Sequence, residues 1–484
     1  MHAIVRMAPE NGLGFAQMAS ASYEMEEARR MKQVRLASVL AAATAALLGI
    51  GACSSSTNAT SSPGAIGGSV TLWGVWQGAE QQAFAAALQP FESETGITVD
   101  YTGKGNAIHT ALQSAIQGGS PPDVSLLPDP GTVLTLAKQG TIKDLTGIVG
   151  NLSSNYGPAW NQLITSNGKL YGVWFRGANK NTIWYNPAEF AAAGITSPPT
   201  TWEQLIQDAG TIKAAGIPPF SLCTDIGWPV ADFWQNTYLK TAGAAKYNAL
   251  STHDIKWTDP TVTTAFTTLR QVIGQPSLLY GGIQGSLSND WPVCVDRVFP
   301  KPGAQPQAAM VFEGDYVVGE VKGNSVNYAP GTTASGGAAC TADPSKTPCY
   351  NFFDFPAPAA NSANSGAVQG AGDVAVLLKN TPQAEALIKY LAGPQGGAIW
   401  AHLGGFTSPN NKVPVTAYPD PVTQGDAKAL VNATAFVYSL DDLVGTWEPD
   451  IFKAMLDFVR DPSDSSIASI EATLDQKATL ATGH

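Results

Sequence analysis

Charge is scarce in this chain of 484 residues: Asp, Glu, Lys and Arg make up 13% of it, against about 25% in an average soluble protein. The net charge of -11 leaves no cationic surface for a polyanion, which excludes nucleic acid as a partner. Five histidines are scattered along the chain, and the five cysteines contain no CxxC pair. That spacing points to neither a metal cluster nor a dithiol redox centre, and no cofactor is expected. The "GKGN" at residues 103–106 is too short for a phosphate loop. No internal repeat emerges. Beyond the leader, no apolar run approaches the ~20 residues that span a bilayer.

What is present is burial potential: 44% apolar residues, with 12 Trp, 49 Gly and 33 Pro. A disordered chain would lack it, and a chain this long more often divides its core between two lobes. Near the start, "MKQVRLASVLAAATAALLGIGACSSSTNATSSPGAIGG" begins at Met31, a better initiator than Met1. Lys32 and Arg35 precede an apolar stretch and the small residues Gly51 and Ala52, then Cys53. This is the layout of an export signal. Ile50 to Cys53 look like a bacterial lipobox, which implies cleavage before Cys53, lipid attachment to its sulfur, and a Ser-rich tether over residues 53–65. The expected location is the outer face of the bacterial cytoplasmic membrane.

Four cysteines then remain in an oxidising compartment. Cys340 and Cys349 flank a turn-rich stretch that closes cheaply, leaving Cys223 for Cys294.

"GGSVTLWGVW" reads as a strand, followed by a helix with Phe84, Leu88 and Phe91 on one face. "ITVDYTG" is a second strand; Ile108, Leu112 and Ile116 mark a second helix, and "DVSLL" a buried third strand. Such alternation predicts an α/β lobe with a largely parallel sheet and ligands at the carboxyl ends of its strands. "YGVWF" and "NTIWYN" flank "RGANK", a plausible crossing between lobes. Thr201 with Gln204 fits a capping box, Trp184 and Trp202 are expected in the core, and "TDIGWPVADFWQN" reads as an aromatic loop. Trp73 lies within the first apolar run and is assigned to the sheet. Trp76, past Gly74, is assigned to a cleft.

Taken together, "FESETGITVDY", "IQGGSPPDVSLLPDPGTVLTLAKQGTIKDL", "GKLYGVWFRGANKNTIWYN", "PPTTWEQL", "AAMVFEGDYV", "GGFTSPN" and "FVYSLDDL" resemble the solute-binding proteins of bacterial ABC importers. They resemble most the sugar-binding branch that includes maltose- and alpha-glucoside-binding proteins. The resemblance implies a two-lobed α/β clamshell with a hinge of about three crossings. Lobe one would take residues 66–176 and 367–408, and lobe two 177–366 and 409–484. It also implies a monomeric, non-enzymatic receptor that hands a carbohydrate to permease subunits.

A sugar offers flat C–H faces and a rim of hydroxyls, so aromatic platforms and charged or amide groups should meet it. The candidates are Trp76, Gln77, Glu80, Asp129, Gly372, Asp373 and Phe406 from lobe one. From lobe two come Lys180, Asp225, Trp228, Asp232, Glu313, Tyr316 and Asp442. Tyr316 stands where related proteins often carry Trp. The alternative is a surface glycoside hydrolase with a carboxylate pair, Asp225 with Asp232 or Glu313.

Overall fold

The structure is a computed structural model and describes residues 66–484 except 153, 157, 325–327, 331–348 and 484. The leader, Cys53 and Cys340 therefore lie outside the described residues. Among the described residues no helix is long and apolar enough to cross a membrane.

The first sheet grows from the alternation seen in the sequence. Strand β1 (Ser69–Gly74) buries Val70 and Leu72, and helix α1 (Gly78–Thr95) covers it with Phe84, Leu88 and Phe91. Burying each such side chain stabilises the fold by about 1.5–3 kcal/mol. Gly96 ends α1 in the left-handed region at φ 66°, where a side chain would be strained. Strand β2 (Thr98–Gly103), helix α2 (Ile108–Gln117), strand β3 (Val124–Leu127) and helix α3 (Pro130–Lys138) follow. β1 pairs in parallel with β2 and β3, as the alternation requires.

Strand β4 (Val173–Asn179) also belongs to this sheet, and after it the chain crosses to β5 (Thr182–Tyr185), which begins the second. Helix α4 (Trp202–Ala214), strand β6 (Phe220–Ser221), helices α5 (Trp228–Ala242) and α6 (Trp291–Val298), and strand β7 (Met310–Phe312) come next. Short β8 (Ala329–Pro330) and β9 (Cys349–Asp354) complete a sheet ordered β8-β9-β5-β7-β6. The long strand β10 (Ala367–Leu377) then returns to the first sheet. It pairs antiparallel with β3 and β4. After α7 (Gln395–Leu403), strand β11 (Ala435–Tyr438) pairs in parallel with β10, and α8 (Glu448–Arg460) packs in the second core.

The chain thus passes between the sheets near Lys180, between Asp354 and Ala367, and again after Tyr438. The first sheet runs past the expected boundaries at 176 and 408, because its ladder continues to Asn179 opposite Gly370 and recruits Ala435–Tyr438.

Trp184 and Trp202 are buried, as expected. Thr201 caps α4 through Gln204 N, but the Gln204 side chain turns back to Thr200 N at 2.9 Å, one residue early for a full capping box. The aromatic loop is instead α5, capped by Gly227. It is buried on nearly every side, with Trp234 stacked on Tyr238 at 5.3 Å, and so carries no amphipathic period to betray it.

Of the two tryptophans of the first run, Trp73 stands in β1 as expected, and Trp76 both lines the cavity and is the more deeply buried of the pair. Trp73 is half-buried, with the Lys104 ammonium 3.9 Å from its ring centre. Trp76 is 1% exposed and sits edge-on to Phe84 and Trp400, each at 4.7 Å. β1 ends at Gly74, so strand parity no longer governs where Trp76 points. Cys223 and Cys294 form a disulfide. Cys349 is also disulfide-bonded.

Candidate functional site

Between the two sheets lies a cavity of about 470 Å³. Gln77, Glu80, Arg176, Gly372 and Asp373 line it from the first side, and Trp228, Asp290, Trp291 and Tyr316 from the second. Lys180 stands where the chain crosses, and Asp441, Asp442 and Glu448 close the end. Trp76 reaches its floor from within the core.

Three rings form one wall. Tyr316 meets Trp291 at 4.9 Å and Trp228 at 6.2 Å, both edge-to-face. The placement is locally encoded: Trp228 and Trp291 are each the first residue of a helix, followed by Pro at the position where a missing N–H does no harm. Gly227 holds φ 99°, and a Cβ there would lie 2.5 Å from the Phe452 carbonyl, so only glycine permits this entry into α5. Asp290 caps α6 by accepting from Trp291 N at 2.8 Å. Behind the wall, the Tyr316 hydroxyl donates to the Glu313 carboxylate at 2.7 Å, which orients the ring. Burial pushes the Glu313 pKa well up.

Two cations organise the polar side. Arg176, buried in β4, donates to Glu80 at 2.6 Å and to the Gly405 carbonyl at 2.9 Å. Lys180 pairs with Asp232 at 2.8 Å and stands 4.0 Å from Asp442. Burial opposes the ammonium, but Asp232, Asp442 and Asp441 outweigh it and raise the Lys180 pKa. Burial likewise raises Asp232 to about 6 and Asp442 well above its ordinary value, with Lys180 opposing both. Glu448 is pushed to about 9 by burial, then by the charges of Asp129 and Asp441.

Asp373 is raised to about 7 by burial, with Arg176 opposing. Its ordinary value is 3.8, so between these pH values the folded protein binds more protons than the unfolded chain. Stability from this group is fullest below about pH 4 and declines as pH rises to about 7. Asp373→Asn should flatten that decline, read as the difference in melting temperature between wild type and variant across this range.

The cavity brings together Trp76, Gln77, Glu80, Lys180, Trp228, Tyr316, Gly372, Asp373 and Asp442. Five expected residues stand elsewhere. Asp225 is exposed, and Asp232 and Glu313 are buried behind Lys180 and Tyr316. Asp129 caps α3 through Thr132 N at 2.8 Å and lies 3.2 Å from His109. Phe406 is packed against Phe175 and Trp400. Sequence reasoning missed Arg176, Asp290, Trp291, Asp441 and Glu448. Two signals were available: an arginine inside an otherwise apolar strand, and the repeated Trp-Pro of residues 228–229 and 291–292.

Residues 75–398 match bacterial extracellular solute-binding proteins. The chain belongs to that family. It is 28% identical over 400 residues to the osmoprotective compounds-binding protein GgtB of Synechocystis sp., covering 81% of this chain and 88% of that protein. It is 27% identical over 417 residues to the alpha-glucosides-binding periplasmic protein AglE of Rhizobium meliloti, covering 83% and 86%. Among solved structures, the solute receptor AcbH, described as preferring β-D-galactopyranose, shares the fold with a TM-score of 0.72 at 19% identity over 86% of this chain and 99% of that one. The GacH receptor of Streptomyces glaucescens, solved with acarbose, superposes with a TM-score of 0.67 at 17% identity over 86% and 99%. The two-lobed α/β architecture of this solute-binding family is therefore the architecture of this chain.

Proposed function

We propose that this protein is the carbohydrate receptor of an ABC importer, taking a small oligosaccharide or glucoside between its lobes and presenting it to permease subunits. The observation that carries this reading is one cavity that sets an aromatic wall (Trp228, Trp291, Tyr316) opposite charged and amide groups (Gln77, Glu80, Arg176, Asp373). Aromatic rings suit the C–H faces of a sugar, and ionised or amide groups suit its hydroxyls. The name of AglE, an alpha-glucosides-binding protein, points the same way.

Closure is the mechanism. A ligand that touches both walls binds the closed arrangement better than the open one and shifts the population toward it. The moving parts are lobes at 66–176 with 367–408 and at 177–366 with 409–484, adjusted for the strand swap at Ala435–Tyr438. The receptor acts as a monomer, exported and tethered to the membrane by lipid on Cys53. It performs no catalysis: of the acids weighed for a hydrolase, Asp225 is exposed away from the cavity, Asp232 pairs with Lys180 and Glu313 accepts from Tyr316.

The test is titration against mono- and oligosaccharides, followed by Trp fluorescence and melting temperature. Saturable binding is expected, and Trp228→Ala should weaken it about 10- to 100-fold while the protein stays folded. Silence across the panel would overturn the sugar assignment, and release of product from chromogenic glycosides would overturn the non-enzymatic one.

A further inference from the structure

We propose that the Cys223–Cys294 disulfide is a positioning element of the ligand cavity, holding Trp291 in the aromatic wall; this rests on the carbohydrate-receptor reading above. The bond joins the two stretches that carry the tryptophans. Cys223 follows β6 after Leu222, and a short non-helical stretch leads from it to Trp228. Cys294 lies on α6 at the i+3 position from Trp291, on the same helical face.

The two ends of α6 are held differently. Its C-terminal half is fixed without the bond: Val295 and Val298 are buried, and the Val298 carbonyl accepts from Asn186 at 3.0 Å. Toward the cavity the helix is looser, with Trp291 half-buried and Val293 39% exposed. There the helix is held by the Asp290 cap on Trp291 N at 2.8 Å, by the Tyr316 ring 4.9 Å from Trp291, and by the disulfide, while the chain leading into it is held by the backbone bond from Thr224 N to the Ser286 carbonyl at 2.8 Å. Arg297 brackets both sulfurs at 3.5 and 3.6 Å and lies over Tyr280, so the sulfurs form part of a packed unit.

A ring already held in place need not be ordered when ligand arrives, and the saving appears as slower dissociation. Without the bond, Trp291 would have to be immobilised at each binding event, a loss of about tenfold in affinity.

The test compares wild type with the paired substitution Cys223→Ala and Cys294→Ala, because a reductant would also attack the disulfide of Cys349. The ligand is the tightest sugar from the panel, and binding is measured well below the melting temperature of the variant. A disulfide that only stabilises would lower the melting temperature and leave Kd unchanged. The expected result is a Kd raised about tenfold, mostly through faster dissociation. Trp291→Ala should lose affinity by itself, and removing the cysteines in that background should then add little. An unchanged Kd in the folded cysteine variant, or full penalties in both backgrounds, would overturn the proposal.

If the cysteine variant fails to fold, wild type decides. Bound sugar should slow reduction of Cys223–Cys294 by dithiothreitol more than that of the Cys349 disulfide, read by alkylation and mass spectrometry; equal protection overturns the proposal. A wild type that binds no carbohydrate overturns the underlying receptor reading instead.

Discussion

Trp76→Ala is expected to lower the unfolding free energy by about 3–5 kcal/mol, the range for removing a large aromatic ring from a core that does not collapse around the void. Trp76 is 1% exposed and is enclosed by Phe84, Phe175 and Trp400. Its edge-to-face contacts add to the area it buries. Chemical denaturation should show the loss as a lower midpoint with an unchanged slope. Trp73→Ala, at a half-buried ring beside Lys104, should cost much less. A Trp76→Ala protein as stable as wild type would show that the ring belongs to the cavity alone.

Lys180→Ala should be comparably severe for a different reason. It removes the cation from Asp232, which is 2% exposed, and from the neighbourhood of Asp442. Breaking a buried pair from one side strands a charge and costs about 3–5 kcal/mol. The sign of its pH dependence follows from Asp232, already raised to about 6 with the lysine opposing that rise. Without Lys180 the carboxyl pKa climbs further, so the penalty is fullest above the new value and shrinks as acid protonates the group. Denaturation of the variant should therefore become less defective toward about pH 5. Adding Asp232→Asn should recover much of the loss at neutral pH, and a double variant no better than Lys180→Ala would refute the pair as the cause.

Much of the first sheet was legible because its strands and helices carry clean periods: Val70 and Leu72 on β1, and Phe84, Leu88 and Phe91 on α1. The second core was less so. Helix α5 is apolar or internally paired on every face, and an all-round pattern gives no phase. Membership of β11 in the first sheet was hidden for another reason: "AFVY" is apolar throughout and too short to show a period, and its pattern says nothing about which edge it will join.

Within the site, a residue just past a strand end such as Gln77 is where sheet topology directs ligands, whereas Asp373 lies mid-strand in β10, at an irregularity of its ladder with β4. Acids were harder, because an Asp in a polar stretch looks the same whether it caps a helix (Asp129), neutralises a lysine (Asp232) or faces the cavity (Asp442). Only the fold separates these roles.

The return of β10 and β11 to the first sheet also governs how the chain acquires its shape. Leu127 pairs with Val374, and Gly370 with Tyr438, so that sheet stays incomplete until nearly the whole polypeptide has been made. Contacts so distant in sequence form slowly, since the intervening chain must be ordered before they repay the loss of freedom. A nascent chain halted before Ala435 leaves the β10 edge without its parallel partner, an open template for pairing with another chain. Truncation at the carboxyl end should therefore be felt first as aggregation of the lobe that lies at the other end of the sequence.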